Sequence, residues 1–162
     1  MLSACGRERE AALAQSLSMN LVHLVYSTKH REELPTAAVR PKLFAYQAGV
    51  FRKWDSPAVV IGGVADHVHA LFVLSKKHAL SKVVEEVKKA SSKWIKTQGD
   101  EFSTFRWQNG YGAFSIGNSQ VERLRLYIER QEEHHRTTPY QEEFRKFLKR
   151  YGVEWDERYV WD

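Results

Sequence analysis

From Leu21 onward, short apolar runs alternate with longer stretches in which apolar residues recur every three or four positions, and this rhythm sets the expected elements. Leu21-Val22-His23-Leu24-Val25-Tyr26-Ser27-Thr28 is rich in β-branched and aromatic residues and is closed by the charged segment Lys29-His30-Arg31-Glu32-Glu33, which reads as a first strand. Pro41 suits the first turn of a helix. Leu43, Tyr46, Gln47, Val50 and Trp54 follow at three-to-four spacing, so a helix is expected from about Arg40 to Lys53. Pro57 introduces Ala58-Val59-Val60-Ile61 as a second strand, and Gly62-Gly63 signals a bulge or a close backbone approach before a third. That third strand is Ala65-Asp66-His67-Val68-His69-Ala70-Leu71-Phe72-Val73-Leu74, expected to pair antiparallel with the second.

Leu80, Val83, Val84, Val87, Ser91, Trp94 and Ile95 mark the buried stripe of a second helix that ends near Gly99, and its other face carries Lys82, Lys89, Lys93 and Lys96. After a loop of aromatics and glycines, Ala113-Phe114-Ser115-Ile116 reads as a fourth strand. The order β-α-β-β-α-β is that of an α+β, ferredoxin-like (RRM-like) fold, an antiparallel sheet with helices on one face. Ser119-Gln120-Val121-Glu122 fits a capping box, so a third helix is expected from Ser119 to Arg136, stopping before Pro139. Phe144, Phe147, Leu148 and Tyr151 share one face of a final helix closed by Gly152. The tail from Val153 to Asp162 holds Trp155, Tyr159 and Trp161, too aromatic to stay in water, and is expected to dock on the domain or a partner.

Length and charge refine this picture. A chain of 162 residues supports one domain with a proper core, assigned to 16–162, with 1–15 as a frayed extension and Met19 as an alternative start. Lys and Arg number 25 against 20 Asp and Glu, a net charge of +5 that favours a polyanionic partner. Cys5 is the only cysteine, which excludes a disulfide framework and a cysteine zinc site and suits a reducing cytoplasm. No apolar run approaches the roughly 18 residues of a membrane span, and the N-terminus lacks an apolar signal core, so neither a membrane nor a targeting segment is expected.

The chemistry gathers at two places. Side chains alternate faces along a strand, so His67 and His69 point the same way. Two imidazoles on one face make half of a metal site. On the third helix Tyr127 and Gln131 are four apart and share a face. A tyrosine hydroxyl can serve as a covalent nucleophile and a glutamine oxygen as ligand to a hard cation, although either residue alone also fits an ordinary core or surface position. His134 and His135 are adjacent in the helix and point in different directions, which suits surface or packing roles, and His23 and His78 read as ordinary.

These residues resemble the bacterial single-strand HUH transposases, the TnpA class of small insertion sequences with their REP-associated tyrosine transposase relatives. The histidine-hydrophobic-histidine triplet is matched by His67-Val68-His69, and the later tyrosine-x-x-x-glutamine helix by Tyr127 and Gln131. Ser27-Thr28-Lys29, Ser91-Ser92-Lys93-Trp94-Ile95 and Trp107-Gln108-Asn109-Gly110-Tyr111-Gly112-Ala113-Phe114 are also similar, so the likeness spans about residues 15 to 160. The resemblance implies a DNA transposase, a metal-dependent single-stranded DNA endonuclease and strand transferase. Tyr127 would be the nucleophile, forming a 5′-phosphotyrosine, and His67, His69 and Gln131 would hold Mg or Mn. It further implies hairpin-bearing single-stranded DNA as partner and a homodimer whose active sites can be shared in trans. The DNA surface is placed on Lys82, Lys89, Lys93 and Lys96 with Lys29, Arg31 and Arg106, and base stacking on Trp107 and Tyr111. A domesticated relative cutting repeat elements, and a non-catalytic ferredoxin-like nucleic-acid binding module, remain as alternative readings.

Overall fold

Two seven-residue strands, Leu21–Ser27 (β1) and His67–Val73 (β3), form the centre of a four-stranded antiparallel sheet, flanked by Ala58–Gly63 (β2) beside β3 and Gly112–Ser115 (β4) beside β1. The computed structural model describes residues 16–161, so the extension expected at 1–15 lies outside the described residues. Helices Arg40–Lys53 (α1) and Leu80–Ile95 (α2) fill the two crossovers, which completes the ferredoxin-like order. Among the described residues no helix is long and apolar enough to cross a membrane.

Strand alternation sorts the chemistry onto two faces. Val22, Leu24 and Tyr26 of β1 and Val68, Ala70 and Phe72 of β3 meet Leu43 and Phe51 of α1 and Val83, Val84, Val87 and Ile95 of α2 in the main core. His23, Val25, His67, His69 and Leu71 point to the other face. That face is covered by Val121–Glu129 (α3), Gln131–His134 (α4) and Tyr140–Arg150 (α5), where Ile128 packs on Leu21 and Leu71 while Tyr140, Phe144 and Leu148 pack on Val25 and Phe114. Helices therefore lie on both faces, not one as the element order alone suggested. Apart from the buried Ser27, the rest of the face that carries the histidines is apolar, and burying it is worth about 25 cal/mol per Å² of apolar surface removed from water.

One row across this face explains how the helices get close enough. Gly62 of β2 is opposite His69, His69 is opposite Val25, and Val25 is opposite Gly112. A Cβ on Gly62 would stand 2.5 Å from the Ile128 carbonyl oxygen, and one on Gly112 would stand 2.5 Å from Phe144 Cε2. Both ends of the row are thus empty so that α3 and α5 can sit down on it. The close approach expected at Gly62 is present, whereas the irregularity in β2 falls between Ala58 and Val60.

The expected third helix is not continuous. A 3-10 turn, Asn118–Gln120, precedes α3, and Arg130 (φ −100°, ψ 20°) interrupts the chain between α3 and α4. The capping box does not form: Ser119 makes no cap, the Gly117 N–H donates to Gln120 Oε1 at 3.3 Å, and Glu122 pairs with Arg125 instead. The final helix begins directly after Pro139. Of the tail aromatics, Trp155 and Trp161 pack against the α5 cluster, with the Arg145 guanidinium 4.9 Å from the Trp161 ring centre, while Tyr159 remains 70% exposed.

The Gly62 contact gives a direct test. Gly62→Ala forces α3 off β2 and is expected to lower stability by about 1–3 kcal/mol, the usual range for overpacking. Gly49→Ala in α1, where nothing lies within 4 Å of the new Cβ, is the control and is expected to gain roughly 0.5–1 kcal/mol. Urea denaturation midpoints measure both; equal midpoints for the two variants would contradict the packing argument.

Candidate active site

His67 is the first residue of β3 and is buried. Its Nδ1–H donates to Asp66 Oδ1 at 2.7 Å, which aims Nε2 into the space beneath α4 and α5. Burial alone would raise the Asp66 carboxyl, but the hydrogen bond and charge of His67 hold it below its ordinary value. Two residues on, His69 Nδ1 lies 2.9 Å from His23 Nε2, with the two rings stacked. Burial first, then the neighbouring imidazoles, keep His69 well below the ordinary histidine value; burial and His69 do the same to His23. His23 is therefore not the ordinary residue that its place in the strand suggested: it holds the ring of His69.

The interruption at Arg130 turns α4 inward. Gln131 is buried; its Nε2 donates to the Tyr127 carbonyl at 3.4 Å and to Glu143 Oε1 at 3.5 Å, which leaves Oε1 3.3 Å from His67 Nε2. His134 and His135 do point differently, yet both reach one carboxylate: His134 Nε2 is 3.6 Å from Glu143 Oε1 and His135 Nε2 is 3.0 Å from Oε2. Of the surface or packing role expected for His135, the surface half does not hold: its ring packs against that of His67, 4.3 Å between centres, and reaches Glu143. Burial, then the His67 charge, push His135 down to about 4, and burial pushes the Glu143 carboxyl up to about 7 against the pull of His67.

The ligand set implied by the resemblance can be tested on this geometry. The Gln131 amide hydrogens go to Tyr127 and Glu143, so with His67 in its neutral form and its Nδ1 proton on Asp66, His67 Nε2 and Gln131 Oε1 would face each other as two lone pairs 3.3 Å apart. Buried Nε2 of His69 has no hydrogen-bond partner either. Lone pairs gathered in this way, each ring held from behind by a partner on its other nitrogen, are the arrangement that a cation requires. The residues fit a divalent metal. Donor atoms of His67, His69, His135 and Glu143 also lie within 4.8 Å of one another.

Two tyrosines flank the histidines. Tyr140 stacks on His67 at 4.5 Å between ring centres but is only 4% exposed. Tyr127, edge-on to His69 and His134, lines a cavity of about 410 Å³ whose wall includes Arg123, Lys146 and Arg150. Tyr127, Gln131, His67 and His69 thus meet within one chain.

The residues expected to bind DNA are placed elsewhere. Lys82, Lys89 and Lys93 are exposed on α2, with Lys96 just past its end, across the sheet from the histidines, and Lys82 pairs with Glu85 and Glu86. Lys29 and Arg31 form a 3-10 turn after β1. Trp107 is 7% exposed, set edge-on against Tyr26 and Phe105 with its indole N–H on Ser91 Oγ, so it presents no open face for stacking, contrary to expectation. Tyr111 is exposed in a cleft of about 400 Å³ with Arg106 and Lys88, and burial lowers the Lys88 ammonium to about 8.

Sequence reasoning passed over Asp66, His23, His135 and Glu143. Glu143 had a signal: it occupies the i+3 place in the stripe Tyr140, Phe144, Phe147 and Leu148, a carboxylate among core positions. Asp66 had only its place next to His67.

No curated protein matches the sequence. Among the solved structures that share the fold are a Deinococcus radiodurans R1 protein provisionally assigned as a transposase (18% identity, TM-score 0.57, covering 78% of this chain and 97% of that one) and a REP-associated tyrosine transposase bound to a REP hairpin (14% identity, TM-score 0.55, 78% and 74%). The family model described as "Transposase IS200 like" matches residues 16–131, a span that runs from just before β1 through Gln131. The chain belongs to the IS200-like transposase family.

Proposed function

We propose that this transposase nicks and rejoins single-stranded DNA at hairpin-bearing element ends, with Tyr127 as the nucleophile and His67, His69 and Gln131 as the holders of a divalent metal, Mg or Mn. The observation that carries the reading is the placement of Tyr127: of the two tyrosines beside the histidines, it alone lines the cavity with the cationic wall, next to the facing lone pairs of His67 and Gln131. The metal, when bound there, supplies Lewis-acid stabilisation of charge on a phosphate.

In this reading Tyr127 Oη forms a bond to the scissile phosphorus while the bond from phosphorus to the 3′ oxygen breaks. The phenolic proton is lost and the departing oxygen gains one, leaving a 5′-phosphotyrosyl link and a free 3′-hydroxyl. Rejoining is the reverse attack by a 3′-hydroxyl and consumes no nucleotide, because the phosphodiester is kept as a tyrosyl ester. Arg123, Lys146 and Arg150 on the cavity wall are suited to neutralise the strand's phosphates near Tyr127. The exposed lysines of α2, with Lys29, Arg31, Arg106 and Tyr111, are assigned to the duplex or loop of the hairpin, away from the reacting phosphate. A hairpin-bound REP-associated transposase of like fold supports DNA hairpins as the partner class. The contact of Tyr127 with His69 of its own chain supports assembly of the site in cis.

Incubation with a hairpin oligonucleotide and Mn²⁺ is expected to give a covalent protein–DNA adduct that is lost in Tyr127→Phe and kept in Tyr140→Phe. An adduct persisting in Tyr127→Phe on denaturing gels would remove Tyr127 from the mechanism.

Metal binding is expected to stabilise the fold. At about 100 times the dissociation constant, Mn²⁺ should add about 2.7 kcal/mol, or roughly 5–10 °C in thermal midpoint for a chain of this size. His67→Ala should abolish both this shift and cleavage while hairpin binding, followed by gel shift, persists. Asp66→Ala, which releases the His67 ring, should weaken Mn²⁺ by about 10–100-fold.

A further inference from the structure

We propose that His135 and Glu143 are also metal ligands, so that the centre has five protein donors and takes a first-row transition ion in preference to Mg²⁺. This deepens, and rests on, the reading of the His67–His69–Gln131 site as a metal centre. Nothing in the tyrosine-glutamine helix pattern asks for a carboxylate from the next helix, yet α5 brings one to the same point.

Three facts of geometry carry the inference. First, the donors are gathered closely enough to close on one ion with small shifts: Glu143 Oε2 lies 3.0 Å from His135 Nε2, 3.5 Å from His69 Nε2 and 3.8 Å from His67 Nε2, and the four residues' donor atoms lie within 4.8 Å of one another. Ligands each about 2.1 Å from a common metal stand roughly 3.0–3.4 Å apart in octahedral or tetrahedral arrangement. Second, His69 Nε2, His135 Nε2 and Glu143 Oε2 are buried without a hydrogen-bond partner, and Glu143 is only 3% exposed. Orphaned polar atoms are uncommon in folded proteins, and three converging on one point call for a shared partner. Third, two of the imidazoles are held through their other nitrogen, His67 on Asp66 and His69 on His23. Such backing is what metal-bound histidines have and what a simple ion pair does not need.

The donor set also speaks to the ion. Mg²⁺ keeps several waters and favours oxygen ligands, whereas imidazole favours transition ions. Three imidazoles, one carboxylate and one amide oxygen leave little room for a hydrated Mg²⁺. The carboxylate gives α5 a second role beyond packing, since the metal would join β3, α4 and α5 through bonds.

Metal-stripped protein titrated with Co²⁺ and followed by visible absorption tests this. Glu143→Gln and His135→Ala are each expected to weaken Co²⁺ at least about tenfold, the low end of what even outer partners contribute, and to change the visible spectrum. X-ray absorption on the wild-type complex should count three imidazoles, a readout that does not depend on any variant folding, and a hundredfold excess of Mg²⁺ should leave Co²⁺ bound. Losses smaller than tenfold in both variants together with two imidazoles would overturn the extended ligand set; displacement by Mg²⁺ below hundredfold excess would overturn the preference. His67→Ala separates the two levels: if it binds Co²⁺ as the wild type does, the metal reading itself fails, and if it alone loses Co²⁺, only the added ligands fail.

Discussion

Gly62, His69, Val25 and Gly112 stand in one row across the sheet, and the missing side chains at its two ends decide where everything else can lie. A ferredoxin-like sheet with α1 and α2 on one face leaves its other face to be covered by whatever follows β4. Here α3 touches down through Ile128 over Gly62 and α5 through Phe144 over Gly112. Those contacts bring Tyr127 from one side and Glu143 from the other to a strand that contributes only two imidazoles. The strand supplies rigidity because it is the hydrogen-bonded centre of the sheet, while the helices supply the remaining chemistry.

The electrostatics of the cluster follow from that enclosure. Burial disfavours charge, so His69, His23 and His135 are held below their ordinary values and Glu143 above its own. Those directions favour the neutral forms of His69, His23 and His135 and of the Glu143 carboxyl. A bound dication would reverse the carboxylate's direction, because its charge outweighs desolvation at ligand distance.

How much of this was legible depended on whether a signal is local. The element order, the two crossover helices and the orientation of His67 and His69 follow from periods of two and of three to four, whereas Tyr127 and Gln131, expected on one continuous helix, lie on either side of the break at Arg130. The capping box at Ser119 failed because a 3-10 turn lets Gln120 take the Gly117 amide, a choice between two local hydrogen bonds that sequence does not rank. Trp107 was misjudged for a different reason: an aromatic in a glycine-rich loop looks available, but its indole is drawn into the core by Ser91 on α2. His23 and His135 were passed over because the rings they meet are 46 and 68 positions away, His69 and His67, and Glu143 because its partners, from His135 at 8 positions to His67 at 76, lie on other elements.

The interruption at Arg130 has a sharper meaning than a frayed helix end. In a continuous helix the Tyr127 carbonyl would accept the Gln131 backbone N–H; here the Gln131 side-chain amide reaches it instead, and Glu143 accepts from the same nitrogen. An amide has one oxygen and one nitrogen, so fixing the nitrogen toward Tyr127 and Glu143 leaves only the oxygen to face His67. The backbone of the nucleophile therefore orients the ligand that its chemistry relies on. Position of Tyr127 and donor identity of Gln131 are one constraint, and a shift of α3 that displaced the phenol would also release the amide to turn.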